Sequence, residues 1–245
     1  SIATGGAVAD ALPADPPVTV VAVGDIASTP KSGVATAELA TSMDPDVVLT
    51  LGDHAYPSGR LRQFRRKYDP SWGPLKPITR PVPGNHEYRT KRAAGYFRYF
   101  DEQVDGRRWY AFDAGDWRVY ALNCEVKCGS GSRPERWLRR QLDKHGDRPS
   151  IVSVHRPYLT CATKHPPYRK LRAVWRDVQR AGGAIVLSGH AHSYERFTPM
   201  RASGRIADGA PRQFVAGTGG AEEHELEPRC RGRQAAHAGL PGVLE

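Results

Sequence analysis

Asp44-Pro-Asp-Val-Val-Leu-Thr-Leu-Gly-Asp53-His-Ala-Tyr56 is an apolar run that stops abruptly on a glycine and a carboxylate. Val47, Val48, Leu49 and Leu51 are apolar without a helical period, and two of them are β-branched. Such a run reads as a buried parallel strand over Val47–Leu51. A charged residue placed where that strand ends does not belong to the core. In open α/β sheets this edge is where ligands sit.

Four further stretches repeat the pattern. Val18-Thr-Val-Val-Ala-Val-Gly24-Asp25 ends in Gly-Asp, and Pro81-Val-Pro-Gly84-Asn85-His86-Glu87 ends in Gly-Asn-His. Ser150-Ile-Val-Ser-Val-His155 ends in histidine, and Ala184-Ile-Val-Leu-Ser-Gly189-His190-Ala-His192 ends in Gly-His-x-His. Five apolar runs therefore carry Asp25, Asp53, Asn85, His155, His190 and His192 towards one rim. Each of these side chains can ligate a metal through oxygen or imidazole nitrogen.

Around these strands the chain alternates. Helical spacing is expected over Gly33–Met43, Pro134–Lys144 and Tyr168–Arg180, and Pro134 suits a first helical turn. Gly59–Tyr68 is a basic helical stretch whose charges read as a solvated face. The aromatics of Ala93–Phe100 read as core. Trp109–Asp113 and Trp117–Asn123 flank a short glycine-containing turn and make a hairpin. Pro81–Pro83 is an edge strand or simply extended. Short β pieces follow around Arg205–Ile206 and Gln213–Ala216, and residues 217–245 read as loop. Two packed mixed β-sheets with helices on their outer faces satisfy this order. Residues 1–17 read as a flexible arm and residues 18–245 as one catalytic domain.

The 245 residues, 39% of them hydrophobic, suffice for one α/β domain. The balance of 36 Lys and Arg against 26 Asp and Glu leaves a net charge of +10. Most of the cations are arginine, whose planar fork suits phosphate and carboxylate. General solubility accounts for the charge at least as well as a dedicated polyanion site does. Cys124, Cys128, Cys161 and Cys230 form no Cys-x-x-Cys zinc pair, and an even count fits an exported protein. Three pairings are open; Cys124 with Cys128 and Cys161 with Cys230 is preferred. No apolar run approaches the ~20 residues that span a bilayer. The even cysteine count makes secreted, cell-surface or periplasmic the expected location; no signal peptide is visible in residues 1–17, so the signal of an exported chain would lie outside this sequence.

Taken as ligands, these residues favour two ions over one. Histidines two apart in an extended segment lie ~6–7 Å apart along one side, and paired metals sit ~3.5–4 Å apart. Asp53 has two oxygens and can bridge, and Tyr56 can reach back as a phenolate. Taken singly, a Gly-Asp is a turn and His155 is a satisfied core histidine; the ordered set of five carries the reading.

The order Gly-Asp, Gly-Asp-x-x-Tyr, Gly-Asn-His-Glu, Val-x-x-His and Gly-His-x-His resembles the calcineurin-like metallophosphoesterases, and more narrowly the purple acid phosphatase branch. Gly52-Asp53-His-Ala-Tyr56 carries the tyrosine that marks that branch, and Gly189-His190-Ala-His192-Ser-Tyr-Glu-Arg196 matches its extended last motif. The resemblance covers roughly residues 18–220 and implies a four-layer αββα sandwich. It assigns Asp25, Asp53, Tyr56 and His192 to a first metal, and Asp53, Asn85, His155 and His190 to a second. It makes His86 a general acid or hydrogen-bond donor at the leaving oxygen, and puts Asn85 and His86 against substrate. Two positions depart from the pattern. Ala27 stands where that branch usually has glycine and the wider superfamily a histidine, so the first metal lacks an imidazole there. His54 stands where bacterial relatives often carry asparagine; it lines the pocket or is a surface histidine, and the latter is favoured.

A hard phenolate favours a trivalent ion, so iron is expected at the Tyr56 site and iron, zinc or manganese at the second. Asp25, Asp53, the phenolate and a bridging hydroxide against a ferric and a divalent ion leave one positive charge, which attracts a phosphate ester. The implied activity is phosphomonoester hydrolysis by in-line attack of a metal-activated hydroxide. A phosphodiesterase or nuclease on the same centre is the alternative, with nucleic acid entering only as substrate. A non-catalytic polyanion-binding protein requires a broken ligand set, and none is broken.

Overall fold

The computed structural model describes residues 16–227 and the strand Gln234–His237. Two sheets pack face to face. The smaller holds β1 (Val20–Val23), β2 (Val47–Thr50) and β3 (Thr79–Pro81) in that order, all parallel. The larger holds β4 (Tyr110–Ala114), β5 (Trp117–Leu122), β6 (Ser150–Val154), β7 (Ile185–Ser188), β8 (Tyr194–Phe197), β9 (Arg212–Ala216) and β10 (Gln234–His237). Its strand order is β10-β8-β9-β7-β6-β5-β4, parallel through β5, β6, β7 and β9 and antiparallel at both ends.

The period of two in each strand sorts side chains between layers. From β1 and β2, Val23 and Val48 point outward with Ala37 and Ala40 of the helix Val34–Ser42 and with Phe64, Tyr68, Trp72, Tyr96 and Phe100. Their neighbours Val20, Ala22, Leu49 and Leu51 point inward and meet Val119, Ile151, Leu187 and Phe214 of the larger sheet. From that sheet Tyr120, Leu122, Val152, Val154, Val186 and Val215 face the far side. There they pack on Leu138 and Leu142 of the helix Arg133–His145 and on Val174, Trp175 and Val178 of the helix Arg172–Arg180. The layers are therefore helix, sheet, sheet, helix. Full burial of each such aliphatic side chain is worth about 1.5–3 kcal/mol.

Most expected elements occur close to their expected bounds. The helix Arg133–His145 is capped by Ser132, whose side chain accepts the Glu135 N–H. The aromatics of Ala94–Tyr99 are core, as expected. Two strands escaped the sequence reading. β8 begins inside the last motif, and β10 falls in a stretch read as loop; neither has a long apolar run, and both are placed by antiparallel pairing at the sheet edge. Cys124 and Cys128 form a disulfide. Cys161 is disulfide-bonded as well; Cys230 lies outside the described residues. Most of the arm read over residues 1–17 also lies outside them. No helix among the described residues is long and apolar enough to cross a membrane.

Candidate metal centre

The carboxyl ends of β1, β2, β3, β6 and β7 meet at one edge of the sandwich. Parallel pairing continues past β1 and β2, with Asp25 N–H donating to Gly52 O and Ile26 N–H to Asp53 O, both at 3.0 Å. The two sheets are tied there by Gly24 N–H to Ala216 O at 2.8 Å. Glycine is required where backbones close on the site. Gly52 has φ +91°, and a Cβ on it would lie 2.5 Å from His155 Nδ1. A Cβ on Gly84 would overlap Asp53 Oδ1.

Asp25, Asp53 and His190 all take positive φ, at 61°, 52° and 68°. Non-glycine residues held so cost roughly 1–3 kcal/mol each and persist where the surroundings over-determine them. Here the turn swings each side chain back over the strand ends. His190 and His192 were expected on an extended segment. The chain instead bends twice after β7, with Ala191 N–H donating to Gly189 O at 2.8 Å and Ser193 N–H to Ala191 O at 2.7 Å.

The donors converge in two groups. Around Asp25, Tyr56 Oη donates to Oδ1 at 3.0 Å and His192 Nε2 lies 3.4 Å from the same oxygen, while the His190 N–H donates to Oδ2 at 2.7 Å. Tyr56 Oη is 3.3 Å from His192 Nε2. Around Asp53, His155 Nε2 is 3.3 Å from Oδ2 and 3.1 Å from Asn85 Oδ1, and the His86 N–H donates to Oδ1 at 2.8 Å. Asp53, His155 and His190 bring one ligand atom each within 4.8 Å of one another. Ala27 pairs with Ala55 as a parallel bridge, and its N–H donates to His54 O at 3.0 Å, so its backbone carries the loop that delivers Tyr56.

Two tautomers are preset for ligation. Leu51 O can only accept, so His155 Nδ1 donates to it at 2.7 Å and leaves Nε2 facing Asp53. Glu222 O does the same for His192 Nδ1 at 2.6 Å. A backbone carbonyl on the second nitrogen is what fixes a metal-binding imidazole. Asp25 and Asp53 are buried, 0% and 1% exposed, among imidazoles. Burial disfavours the His155 cation, yet the Asp53 charge beside it holds its pKa up at about 10. Burial and the Asp25 and Asp53 carboxylates push the Tyr56 phenol well up, so its phenolate requires a cation next to it. The mixed donor set of carboxylate, phenol, amide and imidazole thus fits transition-metal cations, and loading them would release protons.

Several contributors were not readable from the motifs. Glu87 is completely buried, and its carboxylate accepts the N–H groups of Asp53 at 2.9 Å, His54 at 3.0 Å and Gly84 at 2.8 Å. It locks the β2 loop to the β3 loop. His165 and His224 flank His190 and His192: the His165 ring stacks on His190 at 4.1 Å, and His224 on His192 at 4.1 Å. His224 Nδ1 also accepts the His192 N–H at 3.2 Å. Burial and the neighbouring His192 and His165 hold His224 down at about 4. His54 is neither a pocket residue nor a surface one. The residue after Asp53 points away from the centre, and its ring lies completely buried among Phe64, Tyr68, Tyr96 and Phe100, with Nε2 2.8 Å from Thr50 Oγ1.

Glu87→Gln is expected to lower Tm by about 5–10 °C, because an amide NH₂ must face at least one of three buried N–H donors. Burial alone would raise the Glu87 carboxyl, but His54 and the N–H donors outweigh it and leave it at about 2, below the ordinary 4.5. A lowered folded value means that the ionised group stabilises above about pH 4.5, and that this stability is lost as pH falls towards 2. Thermal melts of both proteins between pH 2 and 7 check this: the Tm gap should close at the acid end.

A sequence model of the calcineurin-like phosphoesterases matches residues 11–194. The chain is 25% identical over 233 residues to purple acid phosphatase 21 of Arabidopsis thaliana, covering 84% of this chain and 51% of that protein. It is 29% identical over 183 residues to acid phosphatase type 7 of Homo sapiens, covering 63% and 41%. The chain spans about half the length of these curated relatives. The structure of purple acid phosphatase PPD1 from yellow lupin (Lupinus luteus) seeds superposes with a TM-score of 0.71 at 19% identity, over 86% of this chain and 46% of that one. This last likeness bears on the fold.

Proposed function

The chain belongs to the calcineurin-like phosphoesterase family, which implies a dinuclear metal centre, and from that premise we propose that it hydrolyses phosphate monoesters. The reading rests on one observation: Asp25, Asp53, Tyr56, Asn85, His155, His190 and His192 converge at one edge from five separate strand ends. Asp25, Asp53, Tyr56 and His192 would hold the first ion, and Asp53, Asn85, His155 and His190 the second. When bound, such a pair lowers the pKa of water to supply hydroxide and balances the charge of the phosphoryl oxygens.

The chain's own groups do the rest. Leu51 O and Glu222 O keep the Nε2 atoms of His155 and His192 turned inward. The His86 ring lies 4.3 Å from the Tyr56 ring and donates from Nδ1 to Pro57 O at 2.7 Å. Its Nε2 then faces the centre, 3.8 Å from Asp53 Oδ2, where a proton can pass to a leaving oxygen. Iron is the expected occupant beside Tyr56, and iron, zinc or manganese the second. The disulfides fit an exported protein working in an oxidising compartment.

Elemental analysis of protein purified from iron- and zinc-supplemented cells tests this first; two ions per chain are expected, and none would end the reading. Turnover of p-nitrophenyl phosphate well above that of bis-p-nitrophenyl phosphate separates a monoesterase from a diesterase. Tyr56→Phe should abolish visible charge-transfer absorption in the ferric form; colour that survives the substitution removes Tyr56 from the ligand set.

A further inference from the structure

Arg156 follows His155 directly and meets a carboxylate only through its Nε. Its Nε donates to the two carboxylate oxygens of Glu125 at 2.9 and 3.1 Å, and its guanidinium lies over the Tyr168 ring at 5.4 Å. Glu125 is nearly buried, its side chain 6% exposed, and sits inside the loop closed by Cys124 and Cys128. The far end of the guanidinium points the other way. Nη1 donates to His190 Nε2 at 3.1 Å, and Nη2 donates to nothing among the described residues. The side chain keeps 26% of its surface exposed.

This is a poor use of arginine for holding the fold together. A structural Arg–carboxylate pair spends two N–H groups of the fork in parallel on the acid, whereas here the Nη edge is turned to a metal-binding imidazole. A fixed cation so close also opposes a metal ion at His190. A neutral imidazole has one nitrogen lone pair, so while His190 Nε2 accepts from the arginine its Nδ1 carries the proton. An ion at either ring nitrogen ends that contact, and in the loaded centre the Nη1 proton needs another acceptor. An anion arriving at that side satisfies both demands.

We propose that Arg156 binds a non-bridging phosphoryl oxygen of the substrate on the His190 side and so selects monoesters over diesters. The proposal rests on the phosphoesterase reading above and adds the source of its selectivity. A monoester presents a dianion with three terminal oxygens; a diester presents one charge fewer and one oxygen fewer. Glu125 is a positioning residue in this scheme, because it fixes Nε and thereby aims the Nη edge.

The test uses metal-loaded wild type, Arg156→Ala, Arg156→Lys and Glu125→Gln, with p-nitrophenyl phosphate, bis-p-nitrophenyl phosphate and calorimetric titration of orthophosphate. Arg156→Ala should keep two metals per chain. It should raise the monoester KM and weaken orthophosphate binding by about 10–100-fold, the range for hydrogen bonds to a charged group. Diester turnover should fall by a clearly smaller factor, so that the monoester-to-diester ratio drops. Arg156→Lys should recover part of the loss, since it keeps the charge without the fork, and Glu125→Gln should lie between. Lost metal in Arg156→Ala, equal losses on both esters, or unchanged orthophosphate binding would each overturn the assignment. A wild type that turns over neither ester sinks the phosphoesterase reading instead; orthophosphate binding then still decides whether Arg156 holds the anion.

Discussion

Asp53→Asn protein is expected to carry at most one metal ion per chain and to lose about 10³-fold or more in ester turnover, the scale attached to groups that hold charge in the reacting complex. The two oxygens of Asp53 already have separate surroundings. Oδ1 accepts the His86 N–H, whereas Oδ2 faces His155 Nε2 at 3.3 Å and His86 Nε2 at 3.8 Å. An asparagine can keep the first contact through its carbonyl oxygen, but it offers an NH₂ where the second oxygen stood. That group cannot bridge cations, and the buried negative charge that would hold them is gone. The fold should survive. Asparagine tolerates the positive φ found at position 53, and the backbone N–H there remains bonded to Glu87. Elemental analysis beside a thermal melt separates the outcomes: metal lost with Tm nearly unchanged supports a bridging role, and two retained ions would refute it.

Position 53 also marks how much the sequence disclosed. Its strand was legible because an apolar, β-branched run is visible without any partner, and because Gly52 has no room for a Cβ against His155. The same holds for the ends of β1, β6 and β7, so the layer order and the convergence of Asp25, Asp53, His155 and His190 followed from strand patterns alone. Contacts that depend on which loops meet were not legible. Glu87 looked like the tail of a motif; its role as an anchor exists only because the β2 and β3 loops lie side by side. His165 and His224 belong to segments paired through Ala162 and Leu226, residues whose sequence gives no strand signal. His54 was misjudged because side-chain direction past a strand end depends on a turn that periodicity does not describe. The resemblance supplied the role of His86, which strand patterns could not, and assigned Tyr56, already readable as a phenolate, to one metal.

For His86 the expected result differs in kind from that for Asp53. His86→Ala should keep both metals while slowing turnover by about 10²–10⁴-fold, the usual contribution of a positioned acid. The substitution keeps the backbone N–H that supports Asp53 Oδ1 and removes only the ring, whose Nε2 stands 3.8 Å from Asp53 Oδ2, beyond hydrogen-bond distance. What disappears is an imidazole fixed by Pro57 O at Nδ1 and by the Tyr56 ring, with Nε2 free to carry a proton towards the centre. If that proton goes to the leaving oxygen, the size of the loss must depend on the leaving group. p-Nitrophenol departs readily as an anion and should show the small end of the range, whereas an alkyl phosphate, whose alkoxide must be protonated, should show the large end. A loss equal for both substrates would make His86 a binding group rather than an acid, and loss of metal would make it a ligand.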